Sequence, residues 1–466
     1  MGVKPTSKPF WLFLVVWGLI FLGSFLRTFK ADVYPTDNND DGLFYVWAGN
    51  SLWNNPLLPI SHTIFEDSGS PLIWRSQFRD FVPQDRFGMK IARPWFDHPP
   101  LGTLLIALPA RLVGYTNFAP IPQILVRYPA LIASSLTLLF TYLLAKRLFG
   151  TKIGLLSLLL LATIPYFVIA HRQSFLENIQ TPMFLACLLL LLQFQNKKSQ
   201  LILTFLTILS SFLGWIKFPG FFLPFLLGGW LFYKKQWRAA GWLMGVNLVS
   251  LISYIGYGFA VDFPAFWVTF AKQGARGAFV NSFFYGLTRP EFYGEFADGW
   301  YVLGFIASLL LLIQPKTPPT RFFSWFFTGW LLILFLVSGR LNNSPWYRYP
   351  LLPFLAIALA FYIRNAWRKH SLFWIAPLFL LGLTGFDLLQ IDINPFVLRL
   401  ATGLLFAPFV LAVIFRQSLL KQFTRYLTQI FIAFLLLFNI YVSLNFTSRH
   451  CRLHNCLPPT RIILQP

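Results

Sequence analysis

The stretch DNNDDGLFYVWAGNSLW, residues 37–53, follows the first apolar segment of the chain and comes long before the next segment that could cross a bilayer. It places Asp37, Asp40 and Asp41 within five residues, in a protein that has only 16 acidic residues. Apolar residues at helical spacing after Gly42 predict a short amphipathic helix with Asp40 and Asp41 at its N-terminus, where the helix dipole favours carboxylates. We therefore expect two carboxylates at the edge of a membrane.

The composition of the chain excludes a soluble domain. Hydrophobic residues make up 56% of its 466 residues, and charged residues make up only 12%. So few charges cannot cover a globular surface. The chain is therefore predicted to be an all-α polytopic membrane protein whose partner is the lipid bilayer.

The net charge of +22 raises the question of nucleic-acid binding. Binding of that kind needs a continuous basic face. Here the Lys and Arg residues fall in short clusters between apolar segments, as the positive-inside rule requires. Topology explains most of the charge, and we expect no nucleic-acid partner.

Thirteen apolar segments come near the roughly 20 residues that a spanning helix needs. With the N-terminus in the cytoplasm, six basic connections lie inside and all 16 acidic residues lie outside. This division predicts about thirteen transmembrane helices in the plasma (inner) membrane, with the active site on the external or periplasmic face. The segments lie near 10–29, 123–146, 153–170, 178–194, 200–215, 218–233, 239–260, 299–314, 322–338, 347–363, 371–388, 396–415 and 429–446.

Two long external loops, about 30–122 and 261–298, carry most of the polar chemistry. The apolar run 101–114 in the first loop is too short to span a bilayer and predicts an interfacial or re-entrant helix. Loops of this length without spans of their own are usually functional. We expect a single transmembrane domain over residues 1–446, interfacial helices in the first loop, and a short external tail, 447–466.

Further polar groups stand at the predicted outer ends of the spans. The sequence PWFDHPPLG, residues 94–102, holds Asp97 and His98 just before two prolines that fix an extended approach to a helix. Ionisable groups at helix ends inside a membrane are costly and point to function. Carboxylates could abstract a proton and cations could stabilise an anionic leaving group. The remaining candidates are Arg127, Arg172, Glu177, Lys217 and Arg348.

The chain resembles integral-membrane glycosyltransferases of the GT-C fold, in particular the superfamily of protein O-mannosyltransferases and lipid A aminoarabinose transferases. DDG at residues 40–42 matches the acidic pair of the family's first external loop, although Asp41 stands where the family usually has Glu. FDHPPLG at residues 96–102 matches the His/Lys-Pro-Pro-Leu signature of the same loop.

Later motifs extend this resemblance over roughly residues 10–360. RYPA, which opens at Arg127, matches the family's Arg-x-Pro. Glu177 follows Arg172 where the family has Asp after Arg, so the carboxylate is kept but moves by one methylene. FPGFFLP after Lys217 and YRYPLLP around Arg348 are weaker similarities.

The resemblance implies an enzyme that transfers a sugar from a polyprenyl-phosphate carrier to a hydroxyl acceptor on a protein, lipid or glycan, with inversion. It implies that Asp40 is the general base and that Asp41 orients it or contacts the acceptor. No cofactor is firmly implied, although a divalent cation stays open. The substrate-binding residues that it implies are Arg127, Arg172 and Lys217 for the departing phosphate, Asp97, His98 and Glu177 for the sugar site, and Arg348.

Simpler roles stay open for several of these residues. Asp40 and Asp41 would also suit a helix N-cap on a solvated loop. Arg127 and Lys217 could extend their charges to the headgroups, and this is the better interpretation of Arg348. The alternative functions are a transporter or flippase, or a glycan polymerase, acting on lipid-linked sugars. The one-sided placement of the acids disfavours a transporter, because alternating access needs polar groups near the midplane.

The C-terminal sequence HCRLHNC, residues 450–456, contains two histidines and two cysteines. Their spacing matches no common zinc site, so we expect no metal there. A disulfide between Cys451 and Cys456, or no bond at all, remains open.

The predicted topology can be tested by cysteine labelling of intact cells. A membrane-impermeant maleimide should reach a cysteine introduced near residue 70 and should miss one introduced near residue 236. For each position, labelling in intact cells is compared with labelling of the same variant after the membrane has been permeabilised. The reverse pattern would show that the orientation is wrong.

Overall fold

The computed structural model describes residues 8–35, 41–63, 72–74, 90–115, 121–275, 291–292, 296–314, 317–337, 345–415 and 418–454. Regular structure within these ranges is almost entirely helical. The helices are α1 (Lys8–Thr28), α2 (Asp41–Asn54), α3 (Pro100–Leu112), α4 (Gln123–Phe149), α5 (Thr151–Thr163), α6 (Pro165–Ala170), α7 (Leu176–Lys197), α8 (Gln200–Ile216), α9 (Leu223–Tyr233), α10 (Trp237–Gly274), α11 (Gly299–Ile313), α12 (Pro318–Val337), α13 (Leu352–Lys369), α14 (Leu372–Gly382), α15 (Gly385–Leu388), α16 (Pro395–Phe415) and α17 (Ser418–His454). Two 3₁₀ segments, Phe218–Phe222 and Pro345–Leu351, precede α9 and α13.

The thirteen apolar segments of the sequence all fall on helical structure. Eight helices in the described part of the chain are long and apolar enough to cross a membrane, and six apolar helices of 10–17 residues accompany them. The short run in the first loop forms one of these six, α3. The all-α polytopic fold is confirmed, while the count of thirteen spans stays a prediction.

Prolines accompany two breaks in helical structure, one inside the predicted span 153–170 and one just after the predicted span 239–260. Ile164 has extended backbone between α5 and α6, because Pro165 lacks the N–H group that would continue the preceding helix. In α10, Asp262 is extended two residues before Pro264, and its carboxylate accepts a hydrogen bond of 3.1 Å from the Ala265 N–H. The second half of α10 therefore starts with its own cap and continues as far as Gly274, well into the second predicted loop.

The first long loop packs α2 against α3 beside a small antiparallel sheet of order β1-β3-β2. The strands are β1 (Ser61–His62), β2 (Leu72–Trp74) and β3 (Lys90–Ala92), with Ser61 opposite Ala92. The predicted short helix is present as α2, but the prediction that it is amphipathic was wrong. Most of its residues are buried, because α3, α4 and β1 all pack against it.

Burial is graded from the centre of the bundle to its edge. The segment Trp346–Lys369 is 78% buried over its apolar window, whereas Pro395–Phe415 is only 6% buried. Large apolar side chains such as Phe10, Trp11 and Val413 are exposed. Exposed apolar surface of this extent is expected of helices that contact lipid.

The last helix, α17, runs to His454, past the predicted end of the final span at residue 446. Cys451 lies on it and is disulfide-bonded, and Cys187 is a buried free thiol. Cys456 lies outside the described residues.

The contact between α2 and α3 depends on a residue without a side chain. A Cβ atom on Gly49 would lie 2.2 Å from the Thr103 carbonyl oxygen and 2.5 Å from the Ala107 Cβ. Backbone cannot move aside as a flexible side chain does, so Gly49→Ala should separate the two helices and destabilise the fold by about 1–3 kcal/mol. The thermal unfolding midpoint in detergent measures this loss.

Gly18→Ala is the matched control, since nothing lies within 4 Å of a Cβ atom there. Replacing a helical glycine by alanine without a clash should be neutral or slightly stabilising. Equal midpoints for the two variants would show that α2 and α3 are not in close contact.

Candidate active site

A cavity of about 370 Å³ lies where the first loop meets α8, α10 and the Pro345–Leu351 segment. It brings together three of the predicted site residues, Asp97, His98 and Lys217, which are far apart in the sequence. The other lining residues are Phe96, Pro99, Phe218, Pro219, Phe222, Tyr254, Phe266, Phe270, Gln273, Gly274, Leu336 and Tyr347. The cavity is thus mostly aromatic, with a few polar groups.

Asp97 and His98 are held in place by the two prolines that the sequence singled out. Pro100 is the first residue of α3, and Pro99 takes the extended conformation that precedes a proline. The Asp97 carboxylate accepts a 3.0 Å hydrogen bond from the Thr63 hydroxyl, and the Asp97 carbonyl accepts one of 2.9 Å from the Gln273 side chain. The second half of α10 is therefore tied to this motif.

The His98 ring lies between two aromatic rings of the first loop. Its centroid is 5.3 Å from that of Tyr45 and 5.8 Å from that of Trp95, both edge to face. Trp95 is itself fixed, because its indole N–H donates to the His62 carbonyl at 2.7 Å. His98 therefore has a defined position at the cavity wall.

Lys217 forms a buried ion pair with Glu177. The Lys217 Nζ atom lies 3.3 Å from Glu177 Oε1, and the two side chains are 3% and 1% exposed. Lys217 ends α8 in an extended conformation that turns its side chain back toward α7, and its Nζ lies 5.3 Å from the Tyr347 ring centroid. Gln180 holds this end of α8 by donating to the Leu213 and Lys217 carbonyls at 3.0 and 3.2 Å.

Aromatic rings form the remaining wall of the cavity. The rings of Phe96 and Tyr254 both pack edge to face against the Phe266 ring, each with a centroid distance of 5.4 Å. Phe218 meets Phe270 at 5.3 Å. This wall connects α10 with the 3₁₀ segment after Lys217, and it gives the cavity an apolar side next to its charged end.

Asp41 is the first residue of α2 and is partly buried. A Cβ atom on the next residue, Gly42, would lie 2.8 Å from Val126 Cγ1, so the start of α2 is pressed against α4. Asp41 and Tyr45 are one helical turn apart and share a face. Because Tyr45 touches His98, this face is adjacent to the cavity. Asp40, the predicted base, lies outside the described residues.

Arg127 and Arg172 are fully buried and are not among the residues that line the cavity. Arg127 donates to the carbonyls of Ala31 and Pro35, the latter at 2.5 Å. Arg172 donates to the Leu26 carbonyl and the Thr447 hydroxyl, both at 2.8 Å. Burial and the neighbouring Arg127 lower the pKa of Arg172 to about 9, so it is still charged at neutral pH. Their direct contact with a phosphate stays a prediction.

Arg348 is not among the residues that line the cavity, although its neighbour Tyr347 is. The Arg348 guanidinium lies 3.4 Å from the Tyr301 hydroxyl and 5.7 Å from the centre of that ring. Arg348 is only 5% exposed, so it does not reach the membrane surface as the simpler interpretation expected. Its contacts fix the Pro345–Leu351 segment, and with it Tyr347.

Sequence reasoning missed two buried charges close to these groups. Asp298 caps α11 and accepts hydrogen bonds of 2.9 Å from the N–H groups of Trp300 and Tyr166. Burial raises the pKa of its carboxyl to about 6, although these two N–H groups act in the opposite direction. Arg27 donates to the Leu161 carbonyl at 2.7 Å. Arg27 lies in the last turn of the first span, and this position could have identified it from the sequence.

In the described residues, no group of three histidine, cysteine, aspartate or glutamate side chains is arranged to hold a metal ion. Asp40 and parts of the first loop lie outside this search, so a divalent cation stays open. The fold and cavity together define a polytopic membrane protein with a mixed apolar and charged site near the ends of its helices.

Comparison with known proteins agrees with this class. Residues 97–256, about one third of the chain, match the family model of dolichyl-phosphate-mannose-protein mannosyltransferase. The matched range includes Asp97, His98 and Lys217 of the cavity and also the buried Arg127 and Arg172. A comparison with curated proteins found no match.

Two solved structures of one protein show the same fold over nearly the whole chain. ArnT from Cupriavidus metallidurans bound to undecaprenyl phosphate has a TM-score of 0.55 at 14% identity, over 96% of this chain and 79% of that chain. The apo state of the same protein has a TM-score of 0.52 at 14% identity, over 95% of this chain and 78% of that chain. AglB, an oligosaccharyltransferase from Archaeoglobus fulgidus, has a TM-score of 0.48 at 13% identity, over 91% of this chain and 56% of that chain.

The predicted resemblance is confirmed. The chain has the GT-C fold, and residues 97–256 are similar to the family of protein mannosyltransferases.

The Glu177–Lys217 pair allows a test of the site's integrity. Glu177→Gln leaves the Lys217 charge buried without its counterion, and this should cost about 3–5 kcal/mol of stability. The double variant Glu177→Gln/Lys217→Met removes both charges and should recover most of the loss. Thermal unfolding in detergent compares them, with the exposed Lys152→Gln as control.

A double variant as unstable as Glu177→Gln would contradict this account. It would mean that shape at the end of α8, rather than charge balance, determines the stability there.

Proposed function

We propose that the chain is a membrane glycosyltransferase that moves a sugar from a polyprenyl-phosphate donor to a hydroxyl acceptor on the non-cytoplasmic face. The observation that carries this proposal is the cavity in which an aromatic wall adjoins Lys217, Asp97 and His98. A lipid-linked sugar phosphate has the same division, with an apolar chain, a charged phosphate and a polar sugar.

The donor fits the cavity in one orientation. The isoprenoid chain lies along the rings of Phe218, Phe266 and Phe270, since these present only apolar surface. The phosphate lies at Lys217, the cation that lines the cavity. Support comes from the fold, which is similar to that of ArnT in a structure with undecaprenyl phosphate bound.

Lys217 stabilises the leaving group because it is a preorganised charge in a site of low polarity. Its ion pair with Glu177 and its contact with the Tyr347 ring hold the ammonium group before the donor binds. Arg127 and Arg172 act at longer range in this arrangement. Both are buried cations that bind carbonyl oxygens, and their field favours an anion at this end of the bundle.

The sugar lies between the phosphate and the first loop. Asp97 and His98 stand at this side of the cavity, and each has a fixed orientation. The start of α2 is next to His98, and the acceptor hydroxyl approaches from there. The acceptor oxygen forms a bond to the anomeric carbon as the bond from that carbon to the phosphate oxygen breaks. Attack opposite to the leaving phosphate inverts the anomeric centre.

The proton of the acceptor hydroxyl goes to Asp40, and Asp41 positions that carboxylate or the acceptor. Two adjacent residues at a helix start point about 100° apart, so only one of the two can face the reacting oxygen. Polyprenyl phosphate leaves with the electron pair of the broken bond. The active site lies on the external or periplasmic face of the plasma (inner) membrane. The N-terminus is then in the cytoplasm, and this orientation places all the acidic residues outside.

The assignment of the base is tested by three asparagine variants measured side by side. The purified protein is first screened against polyprenyl-phosphate sugars to obtain a defined donor. Asp40→Asn keeps the shape of the side chain but cannot accept the proton, so transfer should fall by roughly 10²- to 10⁴-fold while donor binding is nearly unchanged. Asp41→Asn should be milder.

Asp37→Asn is the matched control, because Asp37 lies three residues before the motif and should be close to wild type. A fully active Asp40→Asn enzyme would refute the assignment. An inactive Asp37→Asn enzyme beside it would move the base three residues toward the N-terminus.

A further inference from the structure

A second cavity, of about 710 Å³, lies at the opposite end of the bundle from the candidate active site. It is formed where the turn between α7 and α8 meets the turn between α9 and α10. Glu177, in the first turn of α7, belongs to the active-site end, and Phe194, in its last turn, lines this second cavity. A helix of that length separates the two cavities by about 30 Å.

The charges around this second cavity are all of one sign. Lys198, Lys235 and Arg238 line it, and the lining contains no acidic residue. The sequence has no Asp or Glu anywhere between Glu177 and Asp262. These cations therefore have no carboxylate nearby in the sequence to neutralise them.

Two helix N-termini add to the positive potential. Gln200 begins α8 and Trp237 begins α10, and both residues line the cavity. Neither helix has a side-chain hydrogen bond from its capping residue, Ser199 or Gln236. Free N–H groups and the helix dipole favour an anion at such a point.

An orphaned acceptor lies among these donors. The Gln236 side-chain oxygen is buried and has no hydrogen-bond partner, and Gln236 lines the cavity. The phosphodiester of a lipid could not satisfy this oxygen by itself, because both groups only accept hydrogen bonds. A hydroxyl group next to the phosphate could.

An apolar surface continues from the cavity along the bundle. α8 and α10 pack against each other, joined by hydrogen bonds such as that from Asn247 to the Ser210 hydroxyl at 3.0 Å. Their outer faces expose large apolar side chains, beginning with Trp237 and Trp242 beside the cavity. The others are Leu201, Phe205, Ile208, Leu248, Val249 and Ile252. Tryptophan at the end of such a face is typical of the headgroup level of a bilayer.

We propose that this cavity binds the headgroup of an anionic phospholipid that carries hydroxyl groups, of the phosphatidylglycerol class, with its acyl chains along the α8–α10 face. The phosphate lies among Lys198, Lys235 and Arg238, and a headgroup hydroxyl donates to the Gln236 oxygen. The site is separate from the donor cavity and occupies the leaflet on the opposite side of the membrane.

The test uses the full-length protein purified in neutral detergent. Phosphatidylglycerol and phosphatidylcholine with the same acyl chains are titrated separately, and bound lipid is counted by native mass spectrometry while thermal unfolding is followed. Phosphatidylglycerol should bind in a saturable way and raise the unfolding midpoint. Phosphatidylcholine should do neither.

The triple variant Lys198→Gln/Lys235→Gln/Arg238→Gln should lose this binding by on the order of 100-fold, since each cation near an anionic lipid contributes. The control variant, Lys152→Gln/Arg368→Gln/Lys369→Gln, removes three exposed cations elsewhere and should bind within about threefold of wild type. All six substituted residues are at the surface, so both variants should fold.

Three results would overturn the proposal. Equal losses in the two triple variants would mean a general attraction to basic loops. An equal midpoint shift with inorganic phosphate alone would mean a site for free anions. If undecaprenyl phosphate bound more tightly and displaced phosphatidylglycerol, the cavity would be a second site for a carrier lipid.

Discussion

Glu177 and Lys217 hold opposite charges 3.3 Å apart in a place from which water is almost excluded. Such a pair does not by itself make a protein more stable, but the loss of either partner leaves a charge that nothing else compensates. Glu177 lies at the start of α7 and Lys217 at the end of α8, so the pair fixes two neighbouring helix ends. The 3₁₀ segment that lines the cavity follows Lys217 directly. The cavity therefore depends on this interaction for its position.

Arg127 holds the last described residue before the acidic stretch. Arg127 binds the Pro35 carbonyl, only two residues before Asp37, and Gly42 is packed against Val126 and Ser174 at the other end. Pro35 is thus held against α4, and Gly42 is held against α4 and the turn before α7. An arginine that does not line the cavity can still matter here, because it fixes the backbone that leads into the proposed catalytic carboxylates.

The sequence was sufficient for the helices, because each apolar run must bury its backbone polar groups and a helix does so locally. It also identified Asp97, His98 and Lys217, which the fold brings to one cavity. It failed where partners are distant in the chain. Nothing local shows that Gln273 would reach Asp97, that Arg27 would bind the end of α5, or that α2 would be buried on most sides. The last of these depends on packing from three other elements, which no periodicity in α2 can indicate.

The two ends of α7, α8 and α10 differ in how charge is balanced, and this difference suits what each end is proposed to hold. At the candidate active site, the described lining cation, Lys217, is paired with Glu177, so that its charge is already compensated before a phosphate is added. At the other end, cations stand without acids in the same stretch of chain. An enzyme that releases its phosphate-bearing product in every cycle needs the first arrangement, since an unopposed cluster of cations would retain the anion. A lipid that stays bound needs no such balance, and the second arrangement suits it.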